Sequence, residues 1–574
     1  DSVRDMYKVW FVTQESRGIL KVGGLGEVIY NLAYNLRKYS IETTILMPSH
    51  GILRDPEVKK KLKIEKLSEN SSKDVIIYRG ELDNINLLLI GDGGEILDVP
   101  VVYGEGITER KVAKITSNVS WVLDEAFKNG FQKPDIIHVN DWHGVPIGIG
   151  IKQAFEKNHE KIGSLMQIHL LVGKTVSWNY LIDDCNLDPF FKFTVYDGIS
   201  HKQLGLSEIY RYSNGVLEKM GAYIFDRIAT VSNTYLRHDE GCVLNSLGWN
   251  FEKKSTFIYN GTDWEYERIL ENVIGRQWDR ISKFTNKRRK SDVSRDDLRR
   301  YLLVYALGNL PEDEPVIKDE YLRNIVYSLR GPIIKERGRP LGFSSDGPLI
   351  ITTGRVSFQK GFDVLLKAIP RVIEVFPQTR FLFLLLPVRG EERLIREIFE
   401  EAKKYPDNVR VVYGIARSIY QLAHISADIF VAPSRWEPFG IMAIEALAAG
   451  NPVTASRVGG LSEIIIDLKE DINNGVGFLV NKEDSNELSE ALVSLLLLMN
   501  YGNTDNSRRA KINKLIDKLD PSYRRVVKEL LSKENIYDVI RERCIKRVDS
   551  KFRWTHSSQT AFRIYNEILS SEDI

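Results

Sequence analysis

Cysteine is scarce in this sequence: three among 574 residues, Cys185, Cys242 and Cys544, far apart and odd in number. With no CxxC pair, neither a disulfide framework nor a zinc site is indicated, and a reducing, cytoplasmic setting is the simplest reading. Long hydrophobic runs are missing too. The most apolar stretches, such as FLFLLLPV at 381–388, are far too short to span a bilayer, so no membrane partner is expected. Neither sign of charge prevails: 80 Lys and Arg stand against 78 Asp and Glu, a net charge of +2. That balance gives no overall attraction to nucleic acid. The opening DSVRDMYKVWFVTQ enters a strand pattern without an apolar leader segment. No Asp-x-Asp occurs, so a metal bridge is not suggested, and no cofactor is expected.

What the sequence does have is rhythm. Short β-rich runs (KVWFVTQ, ETTILMP, PDIIHVND, SLMQIHL, RIATVS, STFIYNG) alternate with helical spacings such as LGEVIYNLAYNLRKY and ERKVAKITSNVSWVLDEAFKNG. The rhythm restarts at GPLIITTG, 347–354, and continues through TRFLFLLLP, VRVVYG, ADIFVAPS and NPVTASRV, with a helix expected from Phe439. Near-continuously apolar strands between helices are the mark of parallel sheets covered on both faces. A chain of this length is too long for one core. The reading is α/β, two Rossmann-like domains facing a central cleft, with a first domain at 1–264 and a second at 347–550. A charged helical insertion at 265–346 separates them, a further charged segment at 500–540 interrupts the second, and 551–574 forms a tail. The KRRK run at 287–290 reads first as a solvated face.

Four stretches carry chemistry. KVGGLGEV, 21–28, sits between a strand and a helix, where Gly23 and Gly24 let a ligand approach the backbone and Lys21 adds a point charge. It matches neither dinucleotide nor Walker fingerprints, and by itself reads equally as a structural turn. HVNDWHG, 138–144, gathers Asn140, Asp141 and His143 at a strand end, where open α/β sheets bind ligands; a helix cap is the competing reading. His169 stands at another strand end. GRVSFQKG places Arg355 and Lys360 beyond the first strand of the second half, a pair suited to a diphosphate. PSRWEPFGIMAIEALAAG, 433–450, brings Glu437, the amides of Phe439, Gly440 and Ile441 at a helix start, and Glu445 within that helix.

In this order these stretches resemble the retaining glycosyltransferases of two-Rossmann-domain (GT-B) architecture, and within them the glycogen/starch synthases, especially the archaeal type. The resemblance covers about 6–264 and 347–500 and includes the tail KFRWTHSSQTAFRIYNEIL, which in the family returns to the N-terminal domain. It implies that Arg355 and Lys360 bind the donor diphosphate, Glu437 holds the transferred glucose and Glu445 the ribose. It further implies that His169 contacts the donor sugar, and that Lys21, Gly23 and Gly24 close on donor phosphate and acceptor. Glu15, Asn140, Asp141 and His143 complete the candidate set on the acceptor side. The implied reaction transfers glucose from UDP-glucose or ADP-glucose to the 4-hydroxyl of an α-glucan such as glycogen, with retention and without a metal. Bacterial members typically read KTGGLGD where this chain has Val22 and Glu27, and often carry Tyr where Glu445 stands. The donor base and the choice between a polymer and a small sugar acceptor therefore stay open, as does a non-catalytic glucan-binding role. Oligomeric state is not readable.

Overall fold

The computed structural model describes residues 7–502 and 509–571. Of the expected segments, 1–6 of the first domain, 503–508 of the 500–540 segment and 572–574 of the tail lie outside the described residues. The chain divides into two compact units: one runs to Gly261 and resumes at Trp554, the other is Thr262–Arg553.

The first unit holds β1 (Tyr7–Val12), β2 (Ile41–Pro48), β3 (Glu65–Asn70), β4 (Val75–Leu82), β5 (Ile85–Gly91), β6 (Ile136–Asn140), β7 (Gly163–Gln167), β8 (Lys192–Tyr196), β9 (His201–Gly205), β10 (Arg227–Thr230) and β11 (Ser255–Phe257). Nine of them form one sheet in the order β11-β10-β7-β6-β1-β2-β5-β4-β3; β8 and β9 form a separate hairpin. All neighbours are parallel except β5-β4 and β4-β3. The outermost β3, EKLSEN, is polar and bulged, which blunts an exposed edge. Strand order reverses between β1 and β6, and such a switch point opens a crevice beyond the strand ends.

The tail helix Trp554–Ser570 packs into this unit's core. Trp554, Ile564 and Tyr565 join Val9, Phe11 and Leu32 in one apolar cluster. Tyr565 hydroxyl lies 2.6 Å from His138 Nδ1, and Tyr7 hydroxyl donates to Asn566 at 2.8 Å. His138 is thus fixed in the interior, its other nitrogen 2.8 Å from Gln167.

The second unit holds β12 (Leu349–Arg355), β13 (Arg380–Leu386), β14 (Val409–Tyr413), β15 (Ile429–Ala432), β16 (Val453–Ser456) and β17 (Gly477–Val480). Their order, β14-β13-β12-β15-β16-β17, is all parallel and is the doubly wound 3-2-1-4-5-6 arrangement. The switch point falls between β12 and β15.

Some boundaries differ from those expected. The segment 265–346, from Thr262 onward, belongs to the second unit, as do residues 551–553. Its Arg295 donates to the carbonyls of Ala427 (2.9 Å), Ala449 (2.9 Å) and His424 (3.2 Å), and Arg299 pairs with Asp346 and Asp428. The single helix expected over 109–130 is two, Ile107–Ser117 and Val119–Lys128, because Asn118 leaves helical geometry and turns its side chain back on Lys114 O. The helix expected from Phe439 begins at Ile441, after Gly440 at φ 105°. The strands β3, β4, β5, β8, β9 and β17 are not among the runs singled out in the sequence. In the KRRK run, Lys287 and Arg289 pair with Asp297 and Asp292.

Removing Arg295 takes one donor from each of three helix-end carbonyls, of which His424 O keeps Asn451 Nδ2 at 2.7 Å and Ala427 O keeps Arg541 at 3.4 Å. Arg295→Met is expected to destabilise the second unit by about 2–4 kcal/mol, read as a lower denaturant midpoint or faster proteolysis within 262–553. Unchanged resistance in both assays would contradict this.

Candidate active site

In the first unit the candidate residues gather beyond β1, β6 and β7. The carboxylate of Glu15, 1% exposed, accepts from the backbone N–H groups of Val22 (2.9 Å), Gly23 (3.2 Å) and Gly26 (2.9 Å). Three amides around the start of helix Gly24–Leu36, those of Val22, Gly23 and Gly26, are therefore occupied from within. Burial raises the Glu15 pKa, against the pull of those N–H donors. Lys21 is engaged as well: its Nζ donates to Glu27 Oε1 at 2.7 Å, while Arg17 holds the other oxygen at 3.3 Å. Gly23 caps the helix in extended conformation. A Cβ at Gly24 would meet nothing within 4 Å, so no packing in this unit demands glycine there; the open backbone suits close approach by a ligand.

Asn140 fixes His169. Its amide donates to Val12 O and His138 O, leaving Oδ1 to accept from His169 Nε2 at 2.8 Å. That sets the tautomer: His169 Nδ1 is unprotonated, buried and, among the described residues, without a partner. His143 Nδ1 is likewise buried without a partner among the described residues, its ring 5.7 Å from Tyr103. Burial pushes both imidazoles down to about 3, so both are neutral acceptors near pH 7. Asp141, at φ 58° where β6 passes into the helix Asp141–Lys157, accepts from the amides of His169 (2.7 Å) and Leu170 (3.3 Å). The Leu171 amide donates to the Tyr235 hydroxyl at 2.9 Å, and those of Val172, Gly173 and Lys174 all donate to buried Glu218 at 2.8–2.9 Å.

In the second unit the set lies at the switch point. Arg355 ends β12, exposed and without an ion pair among the described residues. Lys360 Nζ donates to Glu437 Oε2 at 2.8 Å; the two side chains are 15% and 10% exposed. Ser434 donates to the same oxygen at 3.2 Å. Arg435 locks the two loops together: it donates to Phe358 O at 2.8 Å, grips Asp363 with two bonds of 2.8 and 2.9 Å, and pairs with Glu483. Gly361 passes so close to Pro433 that a Cβ would lie 1.9 Å from its carbonyl oxygen. Phe439 is 2% exposed, its backbone against Gly460, where a Cβ would come within 2.3 Å of Phe439 O. The amides of Gly440 and Ile441 open the helix Ile441–Ala448, and Glu445 lies inside that helix, near enough to Tyr420 to raise the phenol's pKa further beyond the effect of burial.

The comparisons agree across both units. Residues 8–246 match the model of the starch synthase catalytic domain, and 334–513 match that of glycosyl transferases group 1. A glycogen synthase of Nitrosospira multiformis is 26% identical over 486 residues, 80% of this chain and 83% of that one. One from Thermotoga petrophila is 26% identical over 540 residues, 91% and 97%. The chain belongs to the glycogen/starch synthase family. Among solved structures, the catalytic domain of starch synthase IV from Arabidopsis thaliana, bound to ADP and acarbose, aligns with TM-score 0.62 at 18% identity, covering 98% of this chain and 99% of that one. Sucrose-phosphate synthase from Thermosynechococcus elongatus aligns with TM-score 0.53 at 16% identity, covering 99% and 100%. The fold is thus GT-B, and the protein is a retaining glycosyltransferase of the family's type. Among the described residues no helix is long and apolar enough to cross a membrane.

Each unit carries one group of the candidate residues: Glu15, Lys21, Gly23, Gly24, Asn140, Asp141, His143 and His169 in the first, Arg355, Lys360, Glu437, Phe439, Gly440, Ile441 and Glu445 in the second. Sequence reasoning passed over Glu218, Ser434, Arg435 and Gly460. The Gly459-Gly460 pair after β16 was one local signal, and Ser434, three residues before its partner Glu437, was another; Glu218 and Arg435 act through partners distant in sequence.

Burial pushes Asp141 up to about 7, with Glu218 and Glu15 adding like charge against its two amide donors. An unfolded aspartate titrates near 3.8. Between those values the folded protein holds a proton that the unfolded chain has released, so this group's contribution to stability falls as pH rises from about 4 to about 7. Asp141→Asn should remove that decline. Relative to the variant, wild type is expected to lose about 2–4 kcal/mol across the window in denaturant melts; parallel pH profiles would refute the assignment.

Proposed function

We propose that this protein is a glycogen synthase that transfers glucose from UDP-glucose or ADP-glucose to the 4-hydroxyl of an α-1,4-glucan end, with retention. The observation that carries this reading is the buried Lys360–Glu437 pair at the switch point of the second sheet, beside the unpaired Arg355. Each charge of the pair neutralises the other while the site is without donor. A nucleotide-glucose offers a partner to both at once: its diphosphate takes the ammonium, and its sugar hydroxyls donate to the carboxylate. Binding then exchanges partners without leaving a bare buried charge.

As the bond between the anomeric carbon and the phosphate oxygen breaks, negative charge grows on that oxygen. Arg355, Lys360 and the helix start at Gly440–Ile441 meet it electrostatically. The acceptor hydroxyl attacks from the same face, its proton passes to the leaving phosphate, and the products are the lengthened glucan and a nucleoside diphosphate. Glu437 positions the sugar, and Glu445 takes the ribose hydroxyls. His169, fixed by Asn140 with Nδ1 unpartnered, offers an acceptor to a sugar hydroxyl. No metal or cofactor enters the scheme.

Nucleotide release from UDP-glucose and from ADP-glucose, each with and without glycogen, tests the reading. Glycogen-dependent release with glucose entering polymer is expected, and the faster donor identifies the base. Release without polymer growth would point to a small acceptor. No release from either donor would overturn the activity. Lys360→Ala is expected to lower kcat by about 100-fold or more while changing glucan affinity less than about threefold; unchanged turnover would remove Lys360 from the phosphate role.

A further inference from the structure

Two large aromatic side chains stand in solvent beside the Lys360–Glu437 pair, and the scheme above makes no use of them. Phe358 is 56% exposed and Trp436 45%. Phe358 comes two residues before Lys360, and Trp436 immediately before Glu437. Their ring centroids lie 6.4 Å apart, with the planes at 54°. One exposed ring is ordinary, but two in contact beside a polar site form a surface with a use. We propose that Phe358 and Trp436 are specificity-determining residues for the acceptor, a platform for two consecutive sugar rings of an uncharged α-glucan chain, a role that rests on the donor placement proposed above.

The rings are held before any ligand arrives. The Arg435 guanidinium lies 3.8 Å from the Phe358 ring centre, and the same side chain donates to Phe358 O at 2.8 Å. The Arg435 N–H donates to Gln359 O at 2.7 Å, and Gln359 Nε2 donates to Trp436 O at 3.0 Å. These bonds cross between the loop after β12 and the loop after β15, so both aromatic residues spring from backbone that is tied down. A surface fixed in this way loses little freedom when a ligand settles on it. The Trp436 indole adds an N–H donor at its edge.

Shape, charge and position together select the occupant. A pyranose ring carries C–H groups on its faces and hydroxyls around its edge, so it meets an aromatic face with the first and an indole N–H with the second. Two rings in contact suit neighbouring units of a chain better than a single sugar. The cations carried by these two loops are Arg355, Lys360 and Arg435. The first two serve the donor diphosphate, and Arg435 is spent on Asp363 and Glu483. A phosphorylated sugar would therefore find no further cation on these loops, whereas a neutral glucan needs none. Trp436 adjoins Glu437, assigned to the transferred glucose, while Glu445, assigned to the ribose, lies inside the following helix near Tyr420. The aromatic pair thus belongs to the glucose end of the donor, where the acceptor hydroxyl must arrive, and not to the base.

The test is calorimetric titration of the whole protein with maltoheptaose, glucose, UDP and ADP, which reads binding without turnover. Maltoheptaose is expected to bind saturably and more tightly than glucose. Phe358→Ala and Trp436→Ala should each weaken maltoheptaose binding about three- to tenfold, while UDP and ADP affinities change less than about twofold. Phe358→Tyr and Trp436→Phe keep an aromatic face and should retain most of the binding. Both rings are exposed, so a thermal melt should show the variants folded. Three results would overturn the platform: no saturable maltoheptaose binding up to about 10 mM, binding unaffected by both alanine variants, or nucleotide affinity falling as far as glucan affinity, which would set the rings against the base. Absence of transfer from either donor would overturn the activity proposed above and leave these binding results to decide the platform by themselves.

Discussion

The first unit rests on a single constraint: loops that leave the carboxyl ends of parallel strands carry backbone N–H groups into a buried region, and each must find an acceptor. Four acidic side chains supply them. Glu15 takes the amides of Val22, Gly23 and Gly26, Asp141 those of His169 and Leu170, Glu218 those of Val172, Gly173 and Lys174, and Asp92 those of Gly94, Ile96, Leu97 and Asp98. The balance between burial and donors decides the state of each. Burial works to raise Asp92, but its amide donors and the Lys114 ammonium at 2.9 Å outweigh it and hold the group at about 2. Asp141 has fewer donors and no cation beside it, and rises to about 7. The polar strand ends that shape the candidate site are therefore also its scaffold.

The second unit meets the converse demand, donors for buried carbonyls, with cations. Arg295 and Arg541 saturate carbonyls around Ala427, Ala449 and Gly450, and Arg435 binds the Phe358 carbonyl and the Asp363 carboxylate in one grip. Close glycine contacts at Gly361 and Gly460 bring the loops after β12, β15 and β16 together. Lys360 and Glu437 are placed by these contacts rather than by their own bond. That leaves the pair able to change partners when an anion and hydroxyl groups arrive, while the backbone around it stays fixed.

Several readings of single residues change once partners are known. The glycine loop presents a turn and a binding surface at once: its amides belong to Glu15 and its lysine to Glu27, while its open Gly24 backbone is what remains for a ligand. His138, from the same strand end as Asn140, anchors the tail helix through Tyr565 and is structural. The segment 265–346, charged and helical in sequence, is a packed part of the second unit through Arg295 and Arg299.

The sequence by itself determined the alternation of strands and helices, the two Rossmann-like halves, and the motifs that resemble the glycogen/starch synthases. These depend on local periodicity and on residues a few positions apart, so they are legible before folding. Only the tertiary structure decided which side chains meet. Lys360 and Glu437 are 77 residues apart, and His138 and Tyr565 427. Their meeting depends on which strand ends are neighbours in each sheet and on which helix packs against them. That order is set by packing of whole elements and leaves no periodic mark along the chain.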